Sequence, residues 1–224
     1  MTISVSATEH TAPSEVRGRI LVWDMPTRLF HWSLVTCFVI AYLTSESERW
    51  QIWHVSAGYV FALLLLFRLV WGVIGSRYAR FTNFVRGPSA VMSYVGSLLT
   101  RHPQHFVGHN PAGAWAIVAM MGLGLLAVLA GWASFNDYGD WFGELHEGLI
   151  NVLLAVIAIH VGGVLVSSLL HRENLVRAMV NGHKQGTADE AIRYPQWIVA
   201  VALVLGIVAF LWALWSSRLP ILLP

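Results

Sequence analysis

The sequence predicts an all-α integral membrane protein, a bundle of helices that crosses a bilayer. Three observations carry this. Of the 224 residues, 56% are hydrophobic and 12% are charged, against about 25% charged in an ordinary soluble domain. The charges are confined to connections between five apolar stretches, each close to the roughly 20 residues that a bilayer core requires. Those connections also alternate in charge along the chain, as membrane topology demands.

The polar segment 1–20 has no apolar run behind a basic start, so it reads as a cytoplasmic N-terminal segment rather than a cleaved signal. The first span is expected over 29–45, the second over 53–75, the third over 113–134, the fourth over 145–170 and the fifth over 197–217. Between the second and third spans lies PSAVMSYVGSLLT, residues 88–100. Val91, Tyr94, Val95, Leu98 and Leu99 recur there at helical spacing, and Pro88 suits a first turn. An interfacial helix in contact with lipid is expected over that stretch. The single cysteine, Cys37, lies in an apolar run. One cysteine excludes an internal disulfide framework, a CxxCH haem attachment and a cysteine-ligated iron–sulfur or zinc site.

Arg17, Arg19 and Arg28 precede or open the first span. Arg77, Arg80, Arg86 and Arg101 lie between the second and third, and Arg172, Arg177, Lys184 and Arg193 between the fourth and fifth. The other two loops carry Glu46, Glu48, Asp137, Asp140 and Glu144 against Arg49 alone. Lys and Arg stay on the cytoplasmic side. The N-terminus is therefore expected inside and the C-terminus outside. Trp50, Trp53, Trp132 and Trp141 fall at outer ends, and Trp23, Trp71 and Trp197 at inner ends, as anchoring belts would.

Ten histidines are present. His10, His102, His105, His109 and His183 lie in polar connections and read as solvated or interfacial. His31, His54, His146 and His160 lie within spans, where an ionisable group is costly and points to function. Their depths match in two pairs: His54 with His146 near the outer face, His31 with His160 near the inner face. His146 and His160 are 14 residues apart, about 21 Å along the helix and about 40° short of four full turns, so they share a face. Two imidazoles meeting across a bundle are the ligand set of a six-coordinate b-type haem, and two levels imply two haems. Gly58, four residues after His54, and Gly162 with Gly163, just after His160, would admit a flat macrocycle or serve helix packing. Arg68 is 14 residues after His54 and reaches the inner level, where it can pair with a haem propionate or snorkel inward as an anchor. His171 has no depth-matched partner, which leaves it a propionate or quinone contact.

The stretches VWDMPTRLFHW (22–32), WHVSAGY (53–59), FRLVWGVIGSRYARF (67–81), GHNPAGAW (108–115), LHEGLINVLLAVIAIHVGG (145–163) and AMVNGHK (178–184) resemble the bacterial cytochrome b561 and nickel–iron hydrogenase cytochrome b-subunit family. The resemblance implies a di-haem transmembrane domain over 21–185 with a four-helix haem-binding core. Its axial ligands would be His54 with His146 and His31 with His160. Residues 186–224 would then be a linker and an extra C-terminal helix. The resemblance also implies electron transfer, in the bacterial inner membrane, between quinone and a partner redox protein. Asp24, Arg28, His109 and His171 are polar groups at the level where a quinone could meet the inner haem.

Expected partners are membrane lipid, quinone and a periplasmic c-type cytochrome or oxidoreductase subunit. The acidic outer residues Glu46, Glu48, Asp137, Asp140 and Glu147 would suit a basic patch on that partner. No nucleic-acid partner is expected, and homo-oligomerisation stays open, as does enzymatic activity on quinone. Three other readings stay open. A membrane anchor subunit would need none of these histidines. A histidine-based metal transporter would need polar groups that the spans lack. Superoxide oxidation belongs to shorter, four-span chains of the same kind.

Overall fold

The computed structural model describes residues 17–100 and 104–216. Expectations about residues 1–16 with His10, about Arg101 and His102, and about the chain after Ser216 lie outside the described residues.

Five long helices form the body: α1 (Met25–Thr44), α2 (Gln51–Ile74), α5 (Pro111–Phe135), α6 (Trp141–Leu170) and α8 (Trp197–Trp215). Between α2 and α5 lie the one-turn α3 (Phe81–Phe84) and α4 (Pro88–Leu98), and after α6 comes the short α7 (Leu175–Asn181). Segment 48–74, which contains α2, together with α5, α6 and α8, is long and apolar enough to cross a membrane. α1 is not among these four. Its 20 residues would extend about 30 Å, but Arg28, His31, Trp32, Ser33 and Thr36 dilute its apolar run.

Helix starts follow local chemistry. Asp24 caps α1 by accepting a hydrogen bond from the Thr27 N–H at 2.7 Å, with Pro26 in the first turn. Asn110 caps α5 in the same way through Gly113 N–H at 2.7 Å, again before a proline. α1 packs on α2, and α5 packs on α6 as a second antiparallel pair. The buried face of α5 is made of small residues, Ala114, Gly124, Ala127, Ala130 and Ala133, which let neighbouring backbones approach. α2 meets α5 through Phe61, Leu65 and Met121. α8 lies against α1 and α2, with Leu203 joining Phe30, Val60 and Leu64. At the other end of α8, Trp215 Nε1 donates to Ser56 Oγ at 3.1 Å. A cleft of about 850 Å³ lies between α8 and the α1–α2 pair. α6 stands apart: of its 30 residues only Leu153 and Ser167 are buried.

One difference from the all-α expectation lies at the basic end. β1 (Gly18–Leu21) pairs antiparallel with β2 (His183–Gly186), Gly18 opposite Gly186 and Leu21 opposite His183. Gly182 makes the turn into β2. It has φ +84°, and a Cβ there would lie 2.7 Å from the Trp23 carbonyl oxygen. The ribbon belongs to a cap that ties the three basic connections together. Ile192 N–H donates to Leu21 O, Tyr78 O–H to Glu190 O, Trp32 Nε1 to Met179 O and Lys184 Nζ to Phe106 O. These segments therefore share one end of the bundle, as the charge pattern requires.

Two aromatic assignments are corrected. Trp23 and Trp71 are each 6% exposed, so they are core residues rather than lipid anchors. Trp71 Nε1 donates to Asp24 Oδ2 at 3.1 Å, a buried bond that closes α1 against α2. α4 appears where periodicity placed it, but Tyr94 does not face lipid: it is buried and hydrogen-bonded to Ser167 Oγ on α6 at 3.1 Å.

Candidate functional site

At the end of the bundle away from the basic cap, the level expected to be outer, α2 and α6 bring His54 and His146 together with ring centroids 6.1 Å apart and planes crossed at 76°. Each ring is fixed from behind. His54 Nδ1 lies 2.8 Å from the carbonyl oxygen of Ala41 on α1, and His146 Nδ1 lies 2.7 Å from that of Ala127 on α5. A carbonyl oxygen can only accept, so each Nδ1 carries the proton and each Nε2 keeps its lone pair. All four long helices of the α1–α2 and α5–α6 pairs thus contribute to one site. Gly131 on α5 makes room for it: a Cβ there would sit 2.8 Å from His146 Nδ1 and 3.0 Å from Cε1. The separation of the rings is compatible with one haem iron between them. A metal bound by each imidazole at about 2 Å would separate the ring centroids by roughly 6 Å, and the observed separation is 6.1 Å. The Nδ1–carbonyl contacts are the usual outer support of ligating histidines.

At the inner level, α1 supplies His31 and α6 supplies His160. Both are half-buried. His31 Nδ1 is shielded from solvent and has no partner. Among the described residues these two lack the carbonyl clamps seen at His54 and His146, and what they offer a metal is two imidazoles, one with an orphaned ring nitrogen. Arg68 is 3% exposed and lies under the cap, with its guanidinium over Phe81 at 4.7 Å and Phe84 at 5.7 Å. It does not snorkel to water. Gly58 and Gly162 have no atom within 4 Å of where a Cβ would stand, and the same holds for Gly163. The space beside all three is open.

His109 was expected in solvent or at the interface. Instead it packs between Trp23, at 4.5 Å, and Phe84, at 4.6 Å, with Nδ1 shielded and unpartnered. Burial pushes its pKa down to about 3, helped by positive charge at Arg68, Lys184, His160 and His31. Its ring therefore stays neutral at pH 7. His171 is held differently: Nδ1 faces Ser167 O at 2.9 Å and Nε2 faces Gln104 O at 3.1 Å. Beneath it, Glu173 lies 3.4 Å from Lys184 Nζ and 3.6 Å from His105 Nε2.

Sequence reasoning did not find the carbonyls of Ala41 and Ala127, or Gly131. Backbone acceptors leave no residue-type signature, and a glycine's neighbour across an interface depends on helix rotation. Asp24 and His109 carried a usable signal, since each lies two residues before a proline in the first turn of a long helix.

Half-buried histidines on long apolar helices, two of them ring to ring, are what a membrane cytochrome b would use to hold haem. A model of the prokaryotic cytochrome b561 family matches residues 22–182, and the chain belongs to that family. Curated relatives carry a common description. The probable Ni/Fe-hydrogenase 1 B-type cytochrome subunit of Escherichia coli (strain K12) is 24% identical over 147 residues, 54% of this chain and 62% of that one. The probable Ni/Fe-hydrogenase B-type cytochrome subunit of Rhizobium leguminosarum bv. viciae is 23% identical over 81% of this chain and 95% of its own. That of Cupriavidus necator is 23% identical over 73% and 86%. The chain spans about three-fifths of the length of the Escherichia coli relative. No solved structure matches. Membership in a family of b-type cytochromes implies haem b, and the spanning helices make the chain a multi-pass membrane protein.

Proposed function

We propose that the chain conducts electrons across a bacterial inner membrane through two b haems. The outer haem is held by His54 and His146 and the inner one by His31 and His160. The observation that carries the reading is the outer pair: two rings 6.1 Å apart, each with Nδ1 against a carbonyl, which in the neutral ring leaves Nε2 its lone pair. When bound, each haem supplies an iron that changes charge by one electron. The chain does the rest. The carbonyls of Ala41 and Ala127 hold the outer imidazoles in one tautomer and one orientation. The open sides of Gly58 and Gly162 leave room for a planar ring. Arg68 offers a buried cation to a haem carboxylate.

In this reading residues 21–185 are the electron-conducting unit, and 186–224 add a linker and α8. The basic cap faces the cytoplasm and the acidic loops face the periplasm. Electrons pass between the quinone pool and a periplasmic partner, a c-type cytochrome or an oxidoreductase subunit. The relatives' description as hydrogenase B-type cytochrome subunits favours an oxidoreductase subunit.

The test is conduction itself. Purified protein is placed in liposomes enclosing ferricyanide, and dithionite is added outside. Wild-type protein should reduce the trapped ferricyanide much faster than empty liposomes, and His54→Ala should not. Equal rates for wild type and empty liposomes refute the proposal.

A further inference from the structure

Two side chains beneath the cap carry hydrogen-bonding capacity that no described residue uses. Arg68 is 3% exposed and its Nη1 has no partner. Among the described residues no carboxylate lies within ion-pair distance of it. Asp24 acts on it through its field without an ion pair, while its Oδ1 accepts from Thr27 N–H and its Oδ2 from the Trp71 indole. His109 has a shielded, unpartnered Nδ1. The two groups flank one ring: Phe84 lies 5.7 Å from the Arg68 guanidinium and 4.6 Å from the His109 imidazole. Arg68 acts electrostatically on His109, and so do His31 and His160, which places these groups in one neighbourhood.

Leaving a guanidinium buried without an anion is strongly unfavourable, and an unmet buried donor adds to the cost. The missing partner must be negative, to answer Arg68. It must offer more than one oxygen, to meet a guanidinium edge and an imidazole N–H at once. A carboxylate satisfies both conditions, and the arginine fork matches it. It must also be available in an apolar place under a closed cap, which favours a carboxylate carried on a bound group over one diffusing from solution.

We infer that Arg68 and His109 form a carboxylate cradle that takes a propionate of the inner haem, with Arg68 as the charge partner and His109 Nδ1–H as the second donor. The inference rests on the two-haem reading above. It assigns His109 a positioning role, distinct from that of an axial ligand or a quinone contact. The cradle holds one edge of the haem near the basic end and stabilises the extra electron on ferrous iron by compensating nearby negative charge.

The experiment compares purified wild-type protein with His109→Leu, His109→Gln, Arg68→Gln and Arg68→Lys. It reads haem per chain, the midpoint potential of each haem, and redox-difference infrared bands of haem isotopically labelled at the propionate carboxyls. The expected result is two haems retained in all four. In His109→Leu and Arg68→Gln the ferric-to-ferrous equilibrium of the inner haem shifts about tenfold toward ferric, roughly 59 mV lower for one electron, and the labelled carboxylate bands move. His109→Gln, which keeps an N–H donor, should stay near wild type, and Arg68→Lys should fall between. The outer haem serves as the internal check on folding.

Unchanged potentials and bands with both haems present overturn the cradle while leaving the two-haem reading intact. Loss of the inner haem in His109→Leu, with the outer one kept, overturns it by making His109 a ligand. An inner potential moved only by added soluble carboxylate, with the labelled bands unmoved, overturns it by making the site one for a diffusible anion. A wild type with a single haem sinks the two-haem reading, and the cradle with it.

Discussion

Gly131→Ala is a test that only the arrangement of the outer site predicts. Judged from sequence it is mild: alanine is the better helix former by about 1 kcal/mol, and α5 already carries alanines on the same face. In the structure a Cβ at this position would stand 2.8 Å from His146 Nδ1 and 3.0 Å from Cε1. Ordinary contact begins near 3.4 Å, so the ring must move by about 0.6 Å, or α5 must retreat from α6. Either response disturbs the 2.7 Å contact between Nδ1 and the Ala127 carbonyl, and either tilts Nε2 away from His54. Ligating groups tolerate displacements of about 0.5 Å, and loss of outer support for a ligand typically costs 10–100-fold in affinity. The outer haem should therefore bind 10–100-fold more weakly, about 1.4–2.7 kcal/mol, while the inner haem stays. The assay is haem per chain with reduced-minus-oxidised spectra, beside Gly206→Ala as control, where a Cβ meets nothing within 4 Å. Full haem content with an unaltered spectrum in Gly131→Ala would refute the placement of His146.

Asp24→Ala removes the α1 cap and leaves the buried Trp71 indole without an acceptor. Together these should cost about 2–4 kcal/mol, read as a lower thermal midpoint; a midpoint equal to wild type would mean that Asp24 does not join α1 to α2. The cap should also weaken in acid. Burial first, then Lys184, lower the His105 pKa, and Glu173 opposes them. The folded value lies below the unfolded value of about 6.5, so the contribution is present above that pH and is lost as pH falls through it. The thermal midpoint should fall between pH 7 and pH 5, and His105→Gln should flatten that fall. An equally steep fall in the variant would assign the effect to another group.

Long elements were legible because their signals are local and repeated. The ends of α2, α5, α6 and α8 fall within a few residues of the apolar runs, and α4 was found from Pro88 and its helical spacing. The 14-residue spacing of His146 and His160 fixed their common face before any partner was known. The ribbon escaped because each strand has four residues and pairs across about 160 residues of chain. Trp23 and Trp71 were misplaced because an indole at a span's end looks the same from sequence whether it meets headgroups or a buried carboxylate. The apolarity of α1 was overestimated: the polar residues that build the inner level sit within it. His109 was read as solvated because its apolar walls, Trp23 and Phe84, come from two distant segments. The clamps on His54 and His146 are backbone atoms, which any residue could supply.

The central claim is two histidine pairs at two levels. Its most direct test is haem per chain in detergent-purified protein, by pyridine haemochrome, for wild type, His54→Ala and His160→Ala. Two b haems in the wild type are predicted, with His54→Ala losing the outer one and His160→Ala losing the other, so that the two difference spectra sum to that of the wild type. One haem in the wild type, or both substitutions removing the same haem, would contradict the account.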